Sequence, residues 1–160
     1  MTLYIFDKDN TLIYPIGNRP ANVVGEQIPM PGVIDKITEL RAAGHKLAIA
    51  TNQGGVAWGL MARSQAYRLV HDAGKKVGGI DAVAVCCFDP KAKGKHGAVK
   101  RYAQPSNHRK PGPGMLYDLM DRLGYGPKDT IFVGDSADDE QAAKSASVRF
   151  IHAADFFGGR

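Results

Sequence analysis

Two aspartates, Asp7 and Asp9, end an apolar run with one lysine between them, in the stretch LYIFDKDNTL that begins at Leu3. Carboxylates held close together repel each other and resist ionising at the same time. A hard divalent cation removes that conflict, and Mg²⁺ often binds one or two carboxylates together with a substrate phosphate. An aspartate can also attack phosphorus, and a second acid two residues away can protonate a leaving group. The pair therefore indicates metal-assisted phosphoryl chemistry.

Further polar residues follow other apolar runs of the chain. Thr51, Asn52 and Gln53 come directly after KLAIA, Asp135 comes after TIFVG, and Lys110 stands between a long loop and a helical pattern. Taken singly, each has an ordinary role as a turn residue, a helix cap or a solvated side chain. Ligands of open α/β sheets, however, bind at the carboxyl ends of the strands, so these residues would meet at one edge. There a threonine and a lysine would hold phosphoryl oxygens, and the two strand-end aspartates would share a metal ion.

Strand and helix patterns alternate along the chain. Helical spacing of apolar residues, flanked by Pro and Gly, predicts a helix in PGVIDKITELRAAGH, and similar patterns predict helices near 62–76, 113–124 and 138–146. Strands are predicted at 3–6, 46–51, 81–87, 130–135 and 148–152. This alternation predicts an α/β fold, a parallel five-stranded sheet with helices on both faces. We expect one domain over residues 1–160.

Composition restricts the class of protein. A chain of 160 residues with 44% hydrophobic and 23% charged residues is typical of a soluble globular domain. No apolar run approaches the ~20 residues that span a bilayer, and the N-terminus lacks a signal-peptide pattern. The two cysteines, Cys86 and Cys87, are adjacent, which excludes a disulfide framework. We therefore expect a cytoplasmic protein, without membrane contact and monomeric. Its net charge of +5 suits a small anionic substrate, although a solvated basic surface explains it equally well.

Four motifs resemble those of the haloacid dehalogenase (HAD) superfamily of phosphatases. They are FDKDNTL, ATNQGG, RKPGPGML and VGDSADD, and they occur in that order between Phe6 and Asp139. The resemblance implies a HAD-like Rossmannoid fold and a Mg²⁺-dependent phosphatase with an aspartyl-phosphate intermediate. The catalytic residues it implies are the nucleophile Asp7, the general acid and base Asp9, and the phosphoryl-binding Thr51 and Lys110.

The resemblance also implies a metal site. Its Mg²⁺ ligands would be Asp7, the carbonyl of Asp9, and Asp135. Asp139 would be a supporting acid, preferred over Asp138 because the family spacing is Gly-Asp-x-x-x-Asp.

The second and third motifs are similar to those of the D-glycero-D-manno-heptose 1,7-bisphosphate phosphatases and the related histidinol-phosphate phosphatases. These are small enzymes without a large cap domain, and only about forty residues separate Thr11 from Thr51 here, too few for a cap. The resemblance places Asn52, Gln53 and Arg109 at the substrate. It implies a small phosphorylated metabolite, such as a sugar bisphosphate of carbohydrate metabolism, as the substrate. The loop at 88–109 is then the one candidate for a lid.

That loop departs from the family pattern, in which a Cys-x-His and a Cys-x-Cys pair bind a structural zinc ion. Here Phe88 and Ser106 stand at ligand positions, so a structural zinc site is not expected. The stretch KAKGKHGAVKR is instead strongly basic. Polynucleotide 3′-phosphatases, also HAD proteins, are therefore an alternative, since a basic loop would contact a nucleic-acid backbone. A non-catalytic phosphate-binding module is a third possibility. Few aromatic residues accompany the lysines, so nucleic acid is the less favoured partner.

Overall fold

The computed structural model describes residues 1–159 and contains five strands and five helices within them. The strands are β1 (Leu3–Phe6), β2 (Lys46–Asn52), β3 (Ala82–Cys86), β4 (Thr130–Gly134) and β5 (Arg149–His152). The helices are α1 (Val33–Ala42), α2 (Arg63–Lys76), α3 (Gly114–Leu123), α4 (Ala137–Ser145) and α5 (Ala153–Phe156). The predicted strands are confirmed, with ends that differ by one residue at most.

All five strands are parallel, in the order β3-β2-β1-β4-β5. The central strand β1 pairs with β2 on one side and β4 on the other, so the strand order reverses beside it. Parallel strands that diverge in this way leave a crevice at their carboxyl ends, where α/β proteins bind ligands. The first residue in that crevice is Asp7, whose backbone N–H donates to Val133 O at 3.0 Å.

Helices cover both faces of the sheet, as predicted. On one face, apolar side chains such as Phe6, Ile49 and Val133 pack among residues of α1, α2 and α5. On the other face, Ile5 and Phe132 pack among residues of α3 and α4. Because both faces are covered, the central strands are apolar on both sides rather than alternating. Burial of this kind stabilises the folded state by ~25 cal/mol for each Å² of apolar surface removed from water. The packed helices therefore hold the strand ends in fixed positions.

Helix α4 begins with a reciprocal capping arrangement. The Ser136 side chain accepts a hydrogen bond from Asp139 N at 3.1 Å, and the Asp139 carboxylate accepts from Ser136 N at 3.2 Å. Such a capping box satisfies two backbone donors at the start of a helix. A Cβ at Gly134 would lie only 2.5 Å from Asp139 Oδ2, so the glycine is needed for the close approach. The VGDSADD stretch therefore fixes Asp139 through local structure.

The long connections are those from β1 to α1 and from β3 to α3. Within the described residues, the regular structure of these connections is limited to one 3₁₀ turn each, at Val24–Glu26 and Pro90–Ala92, and to isolated bridges after β1. Two further 3₁₀ turns, Gly54–Val56 and Pro127–Asp129, lie in short connections. A large cap is therefore absent from residues 1–159, as expected from the spacing. Among these residues, no helix has both the length and the apolar character needed to cross a membrane.

Candidate active site

The centre of the site is a buried lysine between two carboxylates. Lys110 Nζ donates to Asp7 Oδ1 at 2.7 Å, to Asp139 Oδ1 at 2.6 Å and to the Ala50 carbonyl at 3.1 Å. Its side chain is 5% exposed. These three donations satisfy all the protons of an ammonium group. The lysine lies in the turn before α3 rather than at the helix start, where the sequence placed it.

The charges of this trio shift one another's pKa values. Burial raises the pKa of Asp7 to about 8, against the opposing effect of Lys110. Burial also acts on Asp139, but the Lys110 charge and hydrogen bond outweigh it and lower the pKa of that carboxyl. Burial likewise opposes the charged form of Lys110, and the two carboxylates outweigh it and raise its pKa. The lysine is therefore firmly protonated, and it neutralises one of its two carboxylate neighbours.

Oxygen atoms of Asp7, Asp135 and Asp139 lie within 4.8 Å of one another, close enough to share a metal ion. Both carboxylate oxygens of Asp139 already accept hydrogen bonds, from Lys110 and from the N–H groups of Asp135 and Ser136. Asp7 and Asp135 therefore have the freer oxygens, and Asp135 Oδ2 accepts one hydrogen bond from Asn10 Nδ2 at 2.7 Å. All these donors are oxygens, as Mg²⁺ requires, and a divalent cation would keep Asp7 ionised despite its burial.

Asp9 is held by a residue that the sequence analysis did not single out. Lys8 is completely buried, and its Nζ donates to Asp9 Oδ1 at 2.6 Å and to Gln27 Oε1 at 2.9 Å. Gln27 in turn donates to the Leu69 carbonyl and to the Asp72 carboxylate, both at 2.8 Å. Burial raises the pKa of Asp9, while the Lys8 charge opposes that rise. The carboxyl oriented in this way lines the cleft beside Asp7.

Residues at the carboxyl end of β2 contact the backbone of Lys110 and each other. Asn52 forms two hydrogen bonds with the Lys110 backbone, donating to its carbonyl at 3.1 Å and accepting from its N–H at 3.0 Å. Thr51 Oγ1 donates to Gln53 Oε1 at 2.9 Å, and both side chains are buried. Thr51 and Asn52 line the cleft with Asp7, whereas the buried Gln53 is not among the residues that line it. The predicted substrate contact of Gln53 stays a prediction.

The carboxyl ends of the strands open into a cleft of about 420 Å³. It contains most of the predicted site residues, namely Asp7, Asp9, Thr51, Asn52, Lys110, Asp135 and Asp139. The opposite wall comes from residues 15–20, including the exposed Arg19, whose guanidinium pairs with Glu26 at 2.7 Å. The sequence analysis considered only the 88–109 loop as a lid, so this second wall was missed.

The predicted residue Arg109 lies outside this cleft, in an adjoining groove of about 460 Å³. Lys110 and Asp138 line both the cleft and the groove, so the two are contiguous. Beyond the groove, the basic loop surrounds a third cavity of about 860 Å³ lined by Lys93, Lys95, Lys100 and Arg101. The basic loop thus adjoins the groove, which in turn adjoins the cleft.

Comparison with known proteins places the chain in a family of hydrolases. The family model for haloacid dehalogenase-like hydrolases matches residues 17–147. The D-glycero-β-D-manno-heptose-1,7-bisphosphate 7-phosphatase of Pseudomonas putida is 34% identical over 158 residues, which cover 93% of this chain and 80% of the relative. The enzyme of the same name from Rhodopseudomonas palustris is 34% identical over 123 residues. That match covers 74% of this chain but 66% of the relative, just under two thirds of its length.

Solved structures show the same resemblance. The D,D-heptose 1,7-bisphosphate phosphatase from B. bronchiseptica, determined as a complex with magnesium and phosphate, has a TM-score of 0.77 and 28% sequence identity. The match covers 94% of this chain and 79% of that structure. The fold therefore agrees with that of this heptose bisphosphate phosphatase.

Proposed function

Since the chain belongs to the haloacid dehalogenase-like hydrolase family, we propose that it is a phosphomonoester hydrolase that uses Asp7 as its nucleophile. One observation carries the proposal: Asp7 stands at the carboxyl end of the central strand, 2.7 Å from a buried lysine and beside a second acid, Asp9. A non-catalytic phosphate-binding module would need the lysine but not this pair of acids. The four motif regions that imply the activity converge on one cleft.

The proposed reaction has two steps. An oxygen of Asp7 attacks phosphorus and forms an aspartyl-phosphate, while Asp9 donates a proton to the departing alcohol oxygen. Asp9, now ionised, accepts a proton from water that attacks the phosphorus, which releases phosphate and frees Asp7. Throughout, Lys110 and Thr51 offset negative charge on the non-bridging oxygens. Mg²⁺ held by Asp7, Asp135 and the Asp9 carbonyl would supply further charge neutralisation.

We propose a sugar bisphosphate as the substrate, resembling the heptose 1,7-bisphosphate after which the relatives are named. The cleft of about 420 Å³ suits a single sugar, because ligand pockets of about 300–1,000 Å³ accommodate small metabolites. Arg19, which lines the cleft, and Arg109, which lines the adjoining groove, suit a substrate with more than one anionic group. A cytoplasmic monomer remains our expectation.

A polynucleotide 3′-phosphatase is the second candidate, and one observation favours it. The cleft, the groove and the basic cavity follow one another, since neighbouring members share lining residues such as Lys110 and Pro90. A strand whose terminal phosphate reached Asp7 would extend toward Lys93, Lys95 and Lys100. Activity on such a substrate would fall steeply with salt, whereas activity on a sugar bisphosphate would depend on salt weakly.

A substrate screen tests the proposal. Phosphate release is measured with Mg²⁺ on sugar bisphosphates, histidinol phosphate, nucleotides and 3′-phosphorylated DNA, with the Asp7→Asn protein as the matched control. We expect a sugar bisphosphate to give the highest kcat/KM and the control to be inactive on every compound. Equal activity of the two proteins would contradict the assignment of Asp7, and a preference for DNA would select the second candidate.

A further inference from the structure

Asp89 is a buried carboxylate outside the catalytic set. It is 6% exposed, and its oxygens accept hydrogen bonds from the Trp58 indole N–H at 3.0 Å and from the Lys91 N–H at 3.0 Å. Burial opposes ionisation, but these hydrogen bonds and the charge of Arg109 outweigh it and lower the pKa of Asp89. The carboxylate is therefore a fixed negative charge with a defined orientation. Two of its partners are far away in sequence, so local turn formation alone does not explain it.

The guanidinium of Arg109 is the cation that faces this carboxylate. Arg109 Nη2 lies 3.5 Å from Asp89 Oδ2, and Nη1 donates to the Phe88 carbonyl at 3.1 Å. Gly54 packs closely against both groups, since a Cβ at this position would lie 3.1 Å from Arg109 Nη1 and 3.2 Å from Asp89 Oδ2. These contacts fix the position of the Arg109 guanidinium, although 27% of the arginine side chain remains exposed.

Arg109 and Trp58, the two partners of Asp89 that are distant in sequence, both belong to segments next to the candidate active site. Arg109 directly precedes Lys110, and both line the groove beside the cleft. Trp58 belongs to the segment that follows the Thr51–Gln53 strand end, and its ring packs in a small cluster with Ala92 and Ala103 of the basic loop. The Trp58 indole thus ties that segment to the loop through Asp89. A change at Asp89 would remove the anion that faces the guanidinium, and a change at Trp58 would remove one donor to that anion. The partners of the Lys110 ammonium would stay in place.

We propose that Asp89 and Trp58 are positioning residues that hold the Arg109 guanidinium at the edge of the active site and so determine the affinity for substrates with a second anionic group. The proposal rests on the proposed phosphatase function and names two residues that set its substrate preference. Asp89 orients Arg109 directly, and the Trp58 N–H keeps the Asp89 carboxylate in place. An ion pair between two exposed side chains would contribute little to the orientation of Arg109. In this pair, however, the Asp89 carboxylate is buried and is held by hydrogen bonds from Trp58 and Lys91.

Kinetics on two substrates separates positioning from simple structural support. We expect Asp89→Asn and Trp58→Phe to raise KM for a sugar bisphosphate about tenfold, as for one lost charge-assisted hydrogen bond. The corresponding KM for p-nitrophenyl phosphate, which has no second anionic group, should change less than about twofold. Arg109→Ala should have the same selective effect, and Asp89→Asn should add little to it in the double variant, because both act through one guanidinium. Asp118→Asn, which removes a carboxylate paired with Arg122 on α3 away from the cleft and the groove, is the matched control and should leave both KM values unchanged.

Equal losses on both substrates, or additive effects of Asp89→Asn and Arg109→Ala, would overturn the proposal and indicate a structural role alone. Trp58 is the single tryptophan, so its fluorescence gives a readout that needs no turnover. Asp89→Asn should shift its emission maximum because the indole loses a charged partner. If no phosphate ester is hydrolysed, the proposed function fails, and a crystal structure of Asp89→Asn then decides the inference. An Arg109 guanidinium still in its wild-type seat would contradict it, and a displaced one would support it.

Discussion

Replacement of the buried lysine tests how the catalytic carboxylates are kept in the fold. Lys110→Met retains a long apolar stem but removes the ammonium that bridges Asp7 and Asp139 at 2.7 and 2.6 Å. Because burial raises the pKa of Asp7 to about 8, Asp7 is mostly protonated at pH 7 without metal, and Asp139 would be the buried carboxylate left without a cation. Removal of one member of a buried ion pair costs about 3–5 kcal/mol, because the remaining charge is desolvated and unpaired. We expect a loss of this size in the free energy of unfolding at pH 7.

Urea denaturation in the presence of a chelator measures this loss, since bound metal would mask it. The deficit should shrink as the pH falls. Lys110 holds the folded-state pKa of Asp139 below its ordinary value, so the wild type loses that stabilisation on acidification. In the Lys110→Met protein, the carboxyls of Asp7 and Asp139 have no cation beside them, so their folded-state pKa values lie above those in the unfolded chain. Acidification therefore protonates them first in the folded state, which stabilises the fold at low pH.

A double variant sharpens the test. In the Asp139→Asn background, Lys110→Met should cost about 1–3 kcal/mol less than in the wild type, because the buried carboxylate that the ammonium pairs with is gone. Lys128→Met, outside the cleft, is the control and should change stability by less than about 0.5 kcal/mol. A Lys110→Met protein as stable as this control, or a cost that is the same in both backgrounds, would refute the reasoning.

Other predictions concern the reaction itself. Asp9→Asn should lower kcat/KM about 10²–10⁴-fold on an alkyl phosphate, and less on p-nitrophenyl phosphate, whose leaving group needs no proton; equal losses would argue against a general acid. Chelation should abolish turnover and Mg²⁺ should restore it, while Ca²⁺, which requires more ligands, should not; chelator-resistant activity would contradict the metal site. Lys8→Met should lower kcat about 10–100-fold, because Asp9 loses the ammonium that orients it, and wild-type kcat would show that the Lys8 contact is dispensable.

The edge of the sheet that holds the candidate site could be predicted because the ends of strands are recognisable in the local sequence. Asp7 and Asp135 each follow an apolar run, and parallel strands bring such positions together whatever the intervening chain does. The parallel five-stranded sheet and the absence of a large cap in the described residues follow from similar local signals, namely the alternation of strand and helix patterns and the spacing between motifs. Family resemblance then supplied roles that residue types alone left open.

The residues that support the site from behind or beside it could not be recognised from local sequence patterns. Lys8 reads as a solvated cation between two acids, and only the fold shows that Gln27, nineteen positions away, meets its ammonium in the interior. Trp58 and Asp89 are 31 residues apart, and neither lies in a periodic pattern that pairs them. The wall at residues 15–20 belongs to an irregular connection, whose path depends on tertiary packing. Contacts between irregular segments are set by the whole fold, so local patterns cannot predict them.

Detection of a phosphorylated Asp7 is the most direct test of the proposed mechanism. The enzyme is mixed with substrate and Mg²⁺, quenched within the first turnover and treated with borohydride, which reduces an acyl phosphate to an alcohol. Mass spectrometry of the peptides then locates the modified residue. We predict homoserine at position 7 in the wild type and no modification in the inactive Asp7→Asn protein. Turnover without modification of Asp7, or activity retained in Asp7→Asn, would contradict the assignment of Asp7 as the nucleophile.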